Sequence, residues 1–362
     1  MTACDKQNST VARFLLSKNP RKETRDILGR TALHIACDRG NCSLVEELIN
    51  AGACINSCDF SGNTCINISA FEGNNEILTV LIEGGADINK PDKNGWTPLK
   101  KACQNGNITA VELLIQHCAV IDQADNEGWT PLMSACQMGH LRIVKVLIGK
   151  NAKINYLSKT GFTALMAASQ SNQVEIMNIL LTSGADINTE DCCKGLSPLK
   201  IASSLGHENA VKTLIENGAN PDAADQQGWT PLKSACKQGH LAVVLFLIMS
   251  KANINKPDKD GWTPLKIASL SGHTKIVQLL LDNNAKIDQA DNVGWTSLMS
   301  ACQGGHTNIV LMLIKKGANI NHTSLDGYTP IGIACKHANT DVLQLLISHG
   351  ANVETADNNG LH

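Results

Sequence analysis

The chain has 362 residues and a formal net charge of -2, with 31 Lys and Arg against 33 Asp and Glu. No basic block stands out, so nothing marks an electrostatic footprint for nucleic acid. No apolar run approaches the length of a membrane span, and the opening MTACDKQNST lacks the charged and apolar regions of a signal peptide.

Length alone would suggest two or three globular domains. A glycine followed closely by Thr-Pro-Leu overrides that prior, because it returns along nearly the whole chain. The marks are Gly29, Gly62, Gly95, Gly128, Gly161, Gly195, Gly228, Gly261, Gly294, Gly327 and Gly360, every step being 33 residues except the 34 from Gly161 to Gly195. Such a period means stacked supersecondary units that contact only their neighbours.

At the start, VARFLLSKN (11–19) falls in register with a second helix, and Ala3 and Cys4 match Ala135 and Cys136, which sets Met1 inside a first helix. We read residues 1–25 as a partial repeat, 26–356 as ten stacked repeats in one array, and 357–362 as the start of an incomplete eleventh. Solenoids normally finish on polar capping repeats, so the expectation is a fragment or an incomplete gene model. The alternative is a natural chain whose ragged ends fray.

Residues 225–255 show what one unit encodes. Asp225 and Gly228 predict a tight turn. Thr230 follows as a helix N-cap with Pro231 at the first helical position, where its missing N–H costs nothing. Leu232 and Ala235 give this first helix an apolar face, Gly239-His240 breaks it, and Val243, Val244, Leu247 and Ile248 recur at the spacing of a second helix. A Gly or Asn then closes most second helices as a left-handed cap, with Cys118 and Lys251 as the exceptions. The second repeat is the weakest copy, since Thr64-Cys65-Ile66-Asn67 lacks the proline, and the sixth carries one extra residue around Asp191-Cys192-Cys193-Lys194, placed most simply in the turn.

Fourteen cysteines invite a disulfide or metal reading. Seven of them (Cys4, Cys37, Cys103, Cys136, Cys236, Cys302 and Cys335) share one register, which other repeats fill with Ser or Ala. That position wants a small side chain in a packed helix, and copies about 10 Å apart lie beyond disulfide reach. Cys54, Cys58 and Cys65 have no histidine at zinc-like spacing. We expect no metal, no cofactor and a reducing compartment, the cytoplasm or the nucleus.

Turn, Thr-Pro-Leu, Ala-Cys or Ala-Ser, Gly-His, Ile-Val, Leu-Ile and Gly-Ala-Asp-Ile-Asn, in this order and at this period, resemble ankyrin repeats over essentially the whole chain. The resemblance implies an all-α solenoid in which each unit is a β-hairpin finger plus an antiparallel helix pair, stacked into a curved slab. The histidine usual after Thr-Pro-Leu appears only at His34; Lys100, Lys200, Lys233 and Lys266 are among its replacements. That departure puts in doubt the bonds it normally makes between repeats.

The resemblance also implies that residues flanking the hairpin glycine and those ending the first helix line a concave face. Trp96, Trp129, Trp229, Trp262 and Trp295, with Phe162 and Tyr328, all directly follow the glycine. They read either as contact anchors for a protein partner or as packing between fingers. Gln137, Met138, Lys237, Gln238, Leu270 and Lys336 vary at the helix ends and join the candidate surface. The four lysines could turn this groove toward anions, although Asp125, Asp225, Asp258 and Asp291 argue against a strong field.

Three further readings complete the set. His140, His207, His240, His273 and His306 occupy the Gly-His slot between helices and read as structural. Leu-x5-Asp-Ile-Asn stretches at 81–89 and 180–188 resemble substrates of an asparagine hydroxylase, which makes Asn89 and Asn188 candidates unless they simply bond within the loop. Near-identical stretches 166 residues apart mark a duplicated five-repeat block, with or without a bivalent use.

No nucleophile–base set, phosphate loop or zinc signature emerges. The expected function is a non-enzymatic, monomeric protein-interaction scaffold or adaptor without nucleic-acid or membrane partners. The alternatives are a regulatory or targeting array cut from a larger enzyme, channel or signalling protein, and a spacer with no specific ligand.

Overall fold

The computed structural model describes Cys4 and residues 9–18 and 21–354. The readings of Met1 as part of a first helix and of an eleventh finger at 357–362 lie outside those residues, Cys4 excepted, which is helical and buried. The chain divides into two compact units, Met1–Asp186 and Ile187–His362. In the first, helix Ser9–Leu16 is followed by five helix pairs, from Ala32–Asp38 with Cys42–Asn50 to Ala164–Gln170 with Val174–Thr182. In the second, five more pairs run from Pro198–Leu205 with Glu208–Glu216 to Pro330–Lys336 with Thr340–Ser348.

Local chemistry makes the pairs. Thr97, Thr130, Thr230 and Thr263 cap their first helices by accepting the backbone N–H three residues on, with proline at the first helical position of each. The prolineless second repeat still forms Cys65–Glu72, because the Asn67 side chain accepts from both the backbone N–H and the hydroxyl of Thr64. Helices of 7 to 9 residues are too short to persist alone, so stacking supplies their stability. Within each unit, first helices pack on first helices and second on second: Pro98–Asn105, for example, lies between Cys65–Glu72 and Pro131–Met138. The leucine of every second helix, from Leu48 to Leu346, is at most 2% exposed, a burial that contributes roughly 1.5–3 kcal/mol per side chain. The small-residue register is buried from Cys37 to Cys302 as expected, but Cys335 is exposed, since no described helix packs over it.

The fingers differ from the expected β-hairpins. No strand forms among the described residues. Each finger is a tight turn closed by one cross-turn pair, as in Asp225 N–H to Trp229 O at 3.0 Å and Gly228 N–H to Asp225 O at 2.9 Å. Within each unit, one further backbone bond ties a finger to the one before it, such as Asn126 N–H to Asn94 O at 3.0 Å or Lys259 N–H to Gln227 O at 3.1 Å. A single lateral bond per finger is too little for a ladder. The extra residue of the sixth repeat sits in the finger, where the closing bond runs from Asp191 N–H to Leu196 O, one residue longer than elsewhere. Glycine is required at the tip both by a φ of +82° at Gly95 and by the next finger, whose Asn126 backbone nitrogen lies 2.6 Å from where a Cβ would stand.

The structure adds detail to two readings of the repeat ends. Cys118 and Lys251, the exceptions to the Gly/Asn cap, adopt the same left-handed conformation, with φ of 67° and 65°. The shape of the stack overrides the local preference there. The Gly-His histidines also gain a partner: the Nε2 atoms of His140, His240, His273 and His306 lie 3.2, 3.1, 3.0 and 3.0 Å from backbone carbonyls of the preceding repeat.

Candidate protein-interaction face

The side chain after Thr-Pro-Leu links one first helix to the next finger. His34 shows the expected chemistry: Nδ1 accepts from Thr31 N–H at 3.2 Å, leaving Nε2–H to donate to Asn63 O at 3.1 Å. Burial pushes the titration of His34 below the usual imidazole range, consistent with a neutral ring. Asn67 reproduces the same bridge, its amide donating to Trp96 O at 3.3 Å. Lys100 does so with its ammonium, donating to Trp129 O at 3.3 Å. The bond put in doubt by the missing histidine is kept by other donors at these two repeats.

The lysines do more than substitute. Lys100, Lys200, Lys233 and Lys266 are at most 5% exposed. Each forms an ion pair with the finger aspartate 25 residues ahead: Lys100 with Asp125, Lys200 with Asp225, Lys233 with Asp258 and Lys266 with Asp291. Desolvation lowers the pKa of all four, and Lys233, whose ion pair is the longest at 3.5 Å, is brought down to about 8. These cations are consumed inside the stack. They leave no strong positive field in the groove, as the interspersed aspartates suggested, because each is paired with one.

The aromatic row sits on top of this layer. Trp96, Trp129, Phe162, Trp229, Trp262, Trp295 and Tyr328 are all half-buried, neither sealed in the core nor fully open. Most carry a lysine of the chain over the ring: Lys100 at 4.8 Å from Trp96, Lys237 at 5.2 Å from Trp229, Lys266 at 4.4 Å from Trp262, and Lys336 at 4.6 Å from Tyr328. Lys266 also reaches Trp295, at 5.9 Å. Trp129 and Phe162 instead stack on each other, centroids 5.5 Å apart. Each ring thus packs against the chain and remains partly accessible.

The remaining candidates lie beside the row. Met138, Lys237, Gln238 and Lys336 are exposed, while Gln137 and Leu270 are half-buried. Between the third and fourth fingers the surface opens into a cleft of about 610 Å3, walled by Trp96 and Trp129 and lined by Asp125, Glu127, Ser134 and Gln137. Glu127 escaped sequence reasoning because a fingertip glutamate looks like any solvated charge. The lysine–aspartate pairs carried a usable signal, the fixed separation of 25 residues.

Asn89 and Asn188 are framework residues in the loops. Asn89 Oδ1 accepts from Val120 N–H at 2.8 Å, and Asn188 Oδ1 accepts from Asn220 N–H at 3.4 Å. Asp122 and Asp222 do the same elsewhere, each for the N–H 31 residues on, so the position demands an acceptor rather than an amide. Cys65 is buried with its thiol against Cys37, whereas Cys54 is exposed and Cys58 half-buried.

Comparison with curated proteins finds no relative that matches. A family model described as ankyrin repeats, in three copies, matches residues 1–92, 69–158, 165–258 and 250–324, and a single ankyrin repeat matches 326–359. The period, the caps, the helix pairs and these matches across nearly the whole sequence agree: the chain belongs to the ankyrin repeat family.

Proposed function

We propose that this chain is a protein-interaction scaffold whose finger and first-helix face holds a protein partner. Ankyrin repeats are generally protein–protein interaction modules. The observation that carries the reading is the row of half-buried aromatics on a framework whose buried lysines are already paired. Large, partly exposed rings on a rigid base lose little entropy when they bind, which is what interface anchors require. The exposed residues at the helix ends, Met138, Lys237, Gln238 and Lys336, would then set which partner fits.

The test is a lysate pull-down with the full chain beside a Trp229→Ala, Trp262→Ala, Trp295→Ala variant. A Leu245→Ser, Met249→Ser variant serves as control, because those side chains are exposed on a second helix. Circular dichroism checks that each variant stays folded. Preys lost with the tryptophan variant and kept with the control support the reading. Preys kept by the tryptophan variant overturn it.

A further inference from the structure

The aromatic row follows one pattern except at the stacked pair Trp129 and Phe162. Trp96, Trp229, Trp262, Trp295 and Tyr328 each have a lysine ammonium of the chain within 5.9 Å of the ring centre. Those cations come from the position four or eight residues after the ring, or from the repeat before. After Trp129 the same two positions hold Met133 and Gln137, and no described lysine lies over its ring. Phe162 stacks on Trp129 and takes no part in the cleft, which lies on the Trp96 side.

The charges around this cleft do not cancel. Lys100 pairs with Asp125, and Lys101 pairs with Asp92 at 2.8 Å. Glu127 lines the cleft, is exposed, and makes no ion pair with any described residue. One negative charge is left beside a tryptophan that lacks its cation, with the side chains of Gln137 and Ser134 nearby as further hydrogen-bonding groups.

We infer that the cleft between Trp96 and Trp129 accepts an arginine side chain of the protein partner, stacked on Trp129 and paired with Glu127. The inference rests on the proposal that this face binds protein, and supplies the chemistry of one anchor. A planar guanidinium suits the site because it can lie flat on an indole while donating at its edge to a carboxylate and an amide. The partner residue would complete, from outside, the ring-and-cation pattern that the chain supplies for itself at Trp96, Trp229, Trp262, Trp295 and Tyr328.

A small probe tests this without knowledge of the partner. The full chain is labelled with 5-fluorotryptophan, its five tryptophan lines are assigned by single substitutions, and N-acetyl-arginine methylamide is titrated in by 19F NMR. The neutral citrulline analogue, nearly the same shape, is the control. The expected result is a saturable shift of the Trp129 line, with the arginine probe binding at least ~5-fold more tightly than the citrulline probe. Glu127→Gln should remove that preference. The double change Met133→Lys with Ser158→Asp copies the Lys100–Asp125 arrangement and should abolish the shift by filling the place over the ring, while the other four lines, unmoved, report an intact fold. No saturable movement of the Trp129 line, an equal response to citrulline, or an unchanged response in Glu127→Gln would each overturn the inference. The pull-down fails independently: preys lost with the tryptophan variant while the arginine probe moves nothing would leave a protein-binding face and remove only the arginine.

Discussion

Two neighbouring repeat interfaces of the second unit fill the same place in opposite ways. Where Lys266 meets Asp291, an ammonium and a carboxylate are buried together, both almost fully enclosed. One repeat later, Met299 and Ser324 occupy the same two positions and are also buried. The finger backbone is alike in both. Asp291 Oδ1 accepts from Trp295 N–H at 2.7 Å, and Ser324 Oγ accepts from Tyr328 N–H at 3.0 Å. Serine thus performs the turn chemistry with its one oxygen, and aspartate adds a second oxygen that must be answered by a cation. The first unit repeats the contrast, with Lys100 and Asp125 beside Met133 and Ser158. Either matched pair is tolerable, because a well-placed buried ion pair and an apolar substitute of similar volume differ little in stability. A mixed pair buries an uncompensated charge and is costly.

Breaking that matching has the largest expected effect. Lys266→Met alone strands the Asp291 carboxylate and should destabilise the chain by about 3 kcal/mol, read as a lower urea midpoint. Adding Asp291→Ser rebuilds the arrangement native to Met299 and Ser324 and should recover most of the loss. A double variant no more stable than the single one would mean the two interfaces are not interchangeable.

A second variant asks whether the ion pair or the glycine–histidine contact at the helix ends limits each interface. Gly206 has a φ of +75°, and a Cβ there would sit 2.5 Å from the imidazole of His240. Gly206→Ala should cost about 2 kcal/mol through backbone strain and the displaced ring, by the same urea measurement. The neighbouring Lys200–Asp225 pair is untouched by this change, so a matching loss in Lys200→Met would rank the two contributions directly.

A gain is expected where the stack imposes the left-handed cap on the wrong residue. Lys251→Gly should raise stability by about 1 kcal/mol, since glycine relieves the side-chain strain at φ 65°. A thermal scan that shows no gain would place the cap's strain elsewhere.

A pH dependence belongs to the ion-pair interfaces alone. The folded-state pKa of Lys233 lies at about 8, below the 10.5 of a solvated lysine. Between those values the unfolded chain binds more protons than the folded one, so this site's contribution to stability rises with pH across that window and is least below it. The slope for one site is bounded by about 1.4 kcal/mol per pH unit. Comparing the chain with Lys233→Met, Asp258→Ser from pH about 7 to about 9 isolates it. Parallel stability curves for the two proteins would contradict the shifted lysine.

Much of this molecule was legible from residues a few positions apart. Thr230 and Pro231 start a helix because a cap and a preset φ act within one turn. The extra residue of the sixth repeat falls in its finger because a turn absorbs an insertion that a packed helix cannot. The aromatics after each glycine were legible as a row, but not as rings carrying the chain's own lysines.

By itself, then, the sequence determined the period, the helix pairs and the family, since those follow from local conformational preference repeated at a fixed step. Only the tertiary structure decided what each charged residue answers. Lys100 finds its carboxylate on the next finger, Cys118 and Lys251 take a conformation their side chains resist, and Trp129 is left beside Glu127 without a lysine of its own. The reason is physical: burial and charge pairing are set by what the neighbouring repeat presents, and a repeat does not contain its neighbour.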